Sequence, residues 1–398
     1  MEKKIQILKQ EMREVLEDNI LRFWMNNMVD EEHGGFYGRM DGKGVLHPEA
    51  DKGAILNARI LWTFSAAYRV LGKKEYLAMA TRAKEYIIAH FIDKQYGGVY
   101  WSVDYKGNPV DMKKQFYAIG FALYGMSEYA RATGDQEALN EAVKLYRCIE
   151  CHALDHEYNG YIEAMTRDWQ PLDDVRLSDK DANYPKSQNT HLHIIEPYAN
   201  LYRIWPTAEL EKSLKNIIHI FLHCILNRET HHLDLFFDED WTRGAGHLES
   251  YGHDIECSWL MHEAAIVLGN RELLEQMEEV VRMVAKASEK GLNRDGSMVH
   301  EANVDTGYID DDPQWWVQAE AVVGFINLYQ HFGDEDALKK ALHCWEYIKK
   351  NLIDYEHGEW FWSCHPDGTL NTVDDKAGFW KCPYHNGRMC LEILEREF

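Results

Sequence analysis

The chain of 398 residues carries 43 basic and 66 acidic side chains, a net charge of −23, and is 45% hydrophobic and 12% aromatic. That apolar content is enough for a large core, while the acidity excludes nucleic acid, whose phosphates are read by basic surfaces. No apolar run approaches a membrane span and the opening segment MEKKIQILKQEMREVLEDNI lacks an h-region, so a soluble cytoplasmic protein with no membrane partner is expected.

The first predicted element is an amphipathic helix over about residues 2–25. After it, one unit recurs along the chain. A short alternating segment with turn residues, first EEHGGFYGRMDGKG, reads as a small hairpin. Next comes a helix apolar nearly all round, first NARILWTFSAAYRV, as expected of a buried helix. A glycine ends it, and a helix with a single apolar stripe follows, first LGKKEYLAMATRAKEYI.

Later inner helices are YAIGFALYGMSEYA, NTHLHIIEPYANLYR, DIECSWLMHEAAIV, WWVQAEAVVGFINLY and HNGRMCLEILERE. Outer helices of the same pattern are TGDQEALNEAVKLYRCI, LGNRELLEQMEEVVRMV and FGDEDALKKALHCWEYI. The pair Cys148 and Cys151 has C-x-x-C spacing but lies inside one amphipathic pattern, so it reads as packing, and the eight scattered cysteines read as reduced thiols.

The unit repeats about every 60–75 residues. The sixth inner helix has no outer partner after it, and the helix at residues 2–25 supplies the missing one. Six inner and six outer helices then close into an all-α (α/α)6 barrel, a single domain over residues 1–398 and most simply a monomer. An open solenoid would need polar capping repeats, which neither end supplies.

The polar residues gather where the inner helices begin: Asn57 and Arg59, Gln115 and Tyr117, Asn189, His191 and His193, His253 and Glu256, Trp315, Trp316, Gln318 and Glu320, then Tyr384, His385 and Arg388. Helix N-termini converging on one mouth of a barrel make a pocket with donors facing inward. Three histidines at equivalent repeat positions, His193, His253 and His385, point to proton chemistry. Glu256, one turn past His253, is placed to orient that imidazole.

No metal is expected, because His191 and His193 at i, i+2 point to different helix faces and no closed ligand set accompanies them. The run DDDPQWW reads as a turn and helix cap rather than a cation clamp. No glycine-rich phosphate loop is present, so no cofactor is expected either. Thirteen tryptophans, with Trp315, Trp316 and Trp380 near the mouth, suit the flat apolar faces of sugar rings.

At this point NARILWTFSAAYR, YAIGFALYGMSEYA, NTHLHIIE, SYGHDIECSWLMHEA, WWVQAEA and KCPYHNGR resemble the N-acylglucosamine 2-epimerase superfamily, in its cellobiose 2-epimerase branch. Tyr384-His385-Asn386-Gly387-Arg388 follows the disaccharide branch rather than the Phe-His-Val-Pro-Arg type of the N-acetylglucosamine branch. The resemblance implies the barrel, no metal, no nucleotide and a small-molecule disaccharide substrate. The implied reaction is reversible inversion at C2 of the reducing-end glucose of β-1,4-linked disaccharides, cellobiose or lactose, through a ring-opened cis-enediolate.

By resemblance, His253 and His385 are the acid/base pair, His193 sits by the reducing-end oxygens and Arg59 holds the enolate oxygens. Tyr117, Asn189, Glu256, Trp316, Glu320 and Trp380 bind or orient the sugar, and Trp315 joins them from its place at the mouth. Cys382 stands where many relatives have glycine. Rival expectations are an aldose–ketose isomerase or an N-acetylglucosamine 2-epimerase on the same scaffold. A glycoside hydrolase would use Glu256 and Glu320 as its carboxylate pair but leave three histidines without a task.

Overall fold

In a computed structural model describing residues 2–365 and 367–398, the helices alternate between two concentric layers. The inner layer is α2 (Ala54–Leu71), α4 (Phe116–Thr133), α6 (Gln188–Tyr202), α8 (Tyr251–Leu268), α10 (Trp315–Phe332) and α12 (Tyr384–Glu395). The outer layer is α1 (2–27), α3 (Lys74–Tyr86), α5 (Gln136–His152), α7 (Ala208–Ile220), α9 (Arg271–Ser288) and α11 (Glu335–Asn351). A π-helical stretch, Val15–Leu21, interrupts α1, and π turns extend α3 and α7. Each inner helix packs on the next, α12 closes the ring against α2, and α1 lies on α12. The architecture is the expected (α/α)6 barrel, with an N-terminal helix close to the predicted span.

The punctuation follows backbone chemistry. Gly72, Gly134, Gly269 and Gly333 end inner helices in the left-handed region. Asp135, Asn270 and Asp334 then accept N–H bonds to start the outer ones. The inner helices are buried almost throughout, and one contiguous core joins both layers. Among the described residues no helix is long and apolar enough to cross a membrane, and all eight cysteines are free thiols.

Two local expectations differ from the structure. The segments read as hairpins close locally through single antiparallel bridges, such as Ile92 with Val99 and Leu154 with Tyr161, but their two-residue strands pair across units: Lys52–Gly53 with Ser102–Val103, Lys114–Gln115 with Ala164–Met165, and Lys186–Ser187 with Phe236–Phe237. Only Glu301–Asn303 and Tyr308–Asp310 form a regular hairpin, which also pairs with Leu248–Ser250. Alternation marks a strand but does not name its partner. No aspartate of the DDDPQWW run caps α10; its N-cap is Gln314 of the same run, with no side-chain bond. Asp310 instead faces His300 at 3.1 Å, and Asp312 accepts from Ser363 at 2.7 Å.

Buried ion pairs fasten the rim. Lys52 donates to Asp30 at 2.7 Å, Lys114 to Asp93 at 2.9 Å and Lys186 to Asp155 at 2.7 Å, and Lys376 pairs with Asp354. Each pair ties the turn after an outer helix to the segment before the next inner helix. Inside the ring, Gly120 of α4 lets α6 approach, because a Cβ there would lie 2.5 Å from the His193 carbonyl oxygen. That carbonyl has no helical donor, since Pro197 occupies the position four residues on.

Candidate active site

The N-termini of the inner helices surround a cavity of about 480 Å3. Its wall includes Arg59 from α2, Tyr117 from α4, Asn189 and His193 from α6, His253 and Glu256 from α8, and Trp315 and Trp316 from α10, with Trp380 and His385 at the start of α12. Of the polar residues that the sequence placed at this mouth, Asn57, Gln115, His191, Gln318, Glu320, Tyr384 and Arg388 are not on the wall; Glu320 lies behind His385, bonded to it.

Each of the three imidazoles is held at Nδ1. His193 meets Glu196 Oε1 at 2.6 Å, His385 meets Glu320 Oε1 at 2.7 Å, and His253 meets Ser250 Oγ at 2.7 Å. A carboxylate fixes the tautomer: Nδ1 donates, and Nε2 keeps its lone pair. A hydroxyl can donate or accept, so His253 can present either tautomer at no cost in hydrogen bonds. His191 faces away from the cavity; its Nδ1 contacts the Ser187 carbonyl at 2.6 Å and its Nε2 accepts from the Tyr161 N–H at 2.9 Å.

Burial keeps all three neutral. It depresses the His193 value against the pull of Glu196, drives His253 well below the usual imidazole range with His300 adding to the effect, and takes His385 down to about 3 despite Glu320. A neutral imidazole keeps one ring nitrogen with a free lone pair, which can accept a proton.

Beneath them lies a polar knot centred on Arg388, which is fully buried. Its Nη1 donates to Glu196 Oε2 at 2.6 Å and contacts the Tyr384 hydroxyl, while its Nη2 donates to Glu256 Oε1 at 2.6 Å and Glu320 Oε1 at 2.7 Å. Trp259 Nε1 completes Glu320 at Oε2, 3.0 Å away. Burial opposes ionisation of Glu320, but Arg388 and the bond from His385 outweigh it and bring the group down to about 2. Burial and then the charge of Glu320 push Glu256 well above the usual carboxylate range.

Glu256 therefore does not serve His253 as its spacing implied. It bonds Arg388 and lies 3.8 Å from His385 Nδ1, because a buried guanidinium is a stronger partner than a neutral imidazole. One ligand atom each from Glu256, Glu320 and His385 lies within 4.8 Å of the others, a spacing a cation could bridge. Arg388 already supplies the positive charge to both carboxylates.

Arg59 projects from α2 with Nη2 donating to the Tyr117 hydroxyl at 2.9 Å and its guanidinium 4.2 Å from the centre of the Phe121 ring. Trp316 lies between two imidazoles, with ring centres 5.0 Å from His253 and 5.6 Å from His385. Gly252 makes room for that indole: a Cβ there would meet it at 2.7 Å. Trp315 packs on Trp362 at 4.5 Å and is only 3% exposed, so it is chiefly wall structure.

Sequence reasoning missed Glu196, Ser250, His300 and the segment from Arg176 to Tyr184, which also borders the cavity. Glu196 carried a signal, three residues after His193 on the same helix face. The other three lie in irregular segments and short strands where no periodicity points.

A family profile described as N-acylglucosamine 2-epimerase (GlcNAc 2-epimerase) matches residues 35–387. The chain belongs to this family. It is similar to a cellobiose 2-epimerase of Bacteroides fragilis, 60% identical over 98% of this chain and 99% of the relative. A cellobiose 2-epimerase of Ruminococcus albus is 43% identical over 97% of this chain and 98% of its own length. Among solved structures, the cellobiose 2-epimerase of Bacillus thermoamylovorans superposes with a TM-score of 0.94 at 42% identity, covering 98% of this chain and all of the other. As a member of the N-acylglucosamine 2-epimerase family, the protein is a carbohydrate epimerase, an isomerase.

Proposed function

We propose that the protein reversibly inverts C2 of the reducing-end glucose of β-1,4-linked disaccharides such as cellobiose, with His253 and His385 as the two bases. The observation that carries this reading is that two imidazoles, each held at Nδ1 by a neighbour, share one cavity wall with the Arg59 guanidinium. The names of the similar proteins add the substrate class. At about 480 Å3 the cavity is in the range of small-molecule sites.

Chemistry dictates the steps. An unactivated C–H is not acidic enough for a histidine, so the pyranose first opens, and the C1 aldehyde acidifies the C2 proton. One imidazole, neutral, takes that proton through Nε2, leaving a cis-enediolate, and the other, which enters the turnover as the imidazolium, returns its Nε2 proton to the opposite face and ends neutral. Arg59 faces the developing oxyanion, an interaction worth about 3–4 kcal/mol in a water-poor site. His193, steadied by Glu196, serves the reducing-end oxygens. Trp316 and Trp380 offer indole faces to the sugar rings, and Tyr117 and Asn189 offer polar atoms to hydroxyls.

Incubation with cellobiose followed by chromatographic separation tests the reading. A mannose-ended disaccharide supports it. A fructose-ended product would make the protein an aldose–ketose isomerase, and free glucose would make it a hydrolase.

A further inference from the structure

Two-base inversion leaves the enzyme altered. After each turnover the imidazole that took the proton holds one too many, and the one that gave it is one short. The next molecule in the same direction must wait until both are restored. His385 is 5% exposed and its Nδ1 is clamped to Glu320, which leaves Nε2 as the ring nitrogen free for proton exchange.

His253 has a different neighbour. His300, just before the strand Glu301–Asn303, also borders the cavity, and its ring centre is 6.3 Å from that of His253. That is too far for a direct hydrogen bond and near enough for one bridging water. The placement is built in. Ser250, the partner of His253 Nδ1, pairs with Glu301 across the ladder, and the Gly252 N–H points to the His300 carbonyl at 3.4 Å.

Other groups make His300 fit to carry a proton. Its Nδ1 faces Asp310 Oδ2 at 3.1 Å, with Gln314 Nε2 at 3.4 Å, and Gln314 in turn accepts from Trp316 Nε1 at 3.0 Å. Asp310 stays ionised, held low by the bond from His300. The side chains of His300 and Asp310 are 18% and 27% exposed, so the dyad reaches bulk solvent. The charged groups facing His253 are His300, His193, His385 and Glu320, and of these only His300 combines a carboxylate partner with exposure to solvent.

We propose that His300, held by Asp310, relays the proton of His253 to and from bulk water between turnovers. When His253 has accepted the substrate proton, its N–H bond breaks toward the bridging water, a proton of that water forms the N–H bond on His300, and His300 releases a proton to solvent. In the reverse direction each transfer runs backwards. Nothing is oxidised or reduced, and water is the only co-reactant. Asp310 stabilises the imidazolium while it exists. This rests on His253 being one of the two bases.

The test compares wild type with His300→Gln and Asp310→Asn in dilute buffer, by quenched-flow single turnover and by steady state on cellobiose. For His300→Gln the first turnover is expected within about threefold of wild type, with a burst near one product per site, and steady-state kcat lower by about tenfold or more. Added imidazole should restore kcat in a saturable way, which a packing defect would not allow. Asp310→Asn should show the same pattern more weakly, and it stands as the readout if His300→Gln does not fold. An unchanged kcat, or equal loss in the first turnover and steady state without imidazole rescue, would overturn the relay. Loss of the first turnover in His253→Asn with a normal His300→Gln burst supports the underlying base assignment. Full activity in His253→Asn removes that assignment and the relay with it.

Discussion

Arg388 and His385 donate to one and the same oxygen, Glu320 Oε1, each at 2.7 Å. The guanidinium thus keeps Glu320 ionised, and the ionised carboxylate keeps the imidazole proton on Nδ1 with Nε2 free for the sugar. On the other side the same guanidinium holds Glu196, the partner of His193. One buried cation sets which nitrogen carries the proton in two cavity histidines on different helices.

Arg388→Met should therefore be costly. It leaves Glu196, Glu256 and Glu320 buried without their counter-ion, a loss of about 3–5 kcal/mol. Urea denaturation reads the stability. Arg388→Lys, which keeps the charge but cannot bridge three carboxylates, should fall between the two. A wild-type midpoint for Arg388→Met would contradict the role of the knot.

His253→Asn and His385→Asn preserve size and remove a base, so epimerisation should drop by ~10²–10⁴-fold in each. In D2O the wild-type product should carry deuterium at C2, and recovered substrate should gain it as well. Product free of C2 deuterium, seen by NMR, would exclude the enediolate.

The pH dependence has a definite sign. Folding lowers His385 from 6.5 to about 3, so in that window the unfolded chain binds a proton that the folded chain refuses, and stability falls as pH drops. Glu320 acts in the same direction lower down: its stabilisation is complete above 4.5 and disappears toward about 2. Denaturant midpoints should decline from pH 7 to pH 5, less steeply in His385→Asn. The acidic limb of kcat should lie below 6.5, the value of a free imidazole. A midpoint that rises on acidification would reverse the assignment of His385 as neutral.

The barrel fold was legible because helices apolar all round and helices with one apolar stripe alternate in the chain, and the chain's helix count leaves α1 to close the outer layer. The place of the cavity was legible because the inner helices start with polar residues, and of the eleven residues given a role ten line it, while Asn57, Gln115, His191 and Gln318 face elsewhere. What the sequence did not reveal was pairing. Glu256 shares a helix face with His253, yet a face does not choose among partners from other helices, and Arg388 of α12 won. Ser250 lies in a short strand and His300 just before one, and the pairing of those strands depends on the folded rim.

Gly120→Ala places a methyl 2.5 Å from the His193 carbonyl, so α4 and α6 must separate. The expected cost is about 1–3 kcal/mol of stability. Because His193 moves with α6, kcat should fall further than stability alone explains. A thermal melt paired with kinetics well below the melting temperature separates the two, and unaltered values in both would mean the helices are not in tight contact.

The seam of the ring has a consequence for the newborn chain. Lys9 of α1 reaches the Leu394 carbonyl of α12 at 3.2 Å, and α12 also carries His385 and Arg388. Because α1 leaves the ribosome before α12, the part of its apolar stripe that packs on α12 stays uncovered until α12 emerges. Until then the knot lacks its cation and the cavity lacks a base. A nascent or prematurely terminated chain is thereby both inert and conspicuous to chaperones and proteases, so catalytic competence arrives together with the contact that hides the exposed stripe.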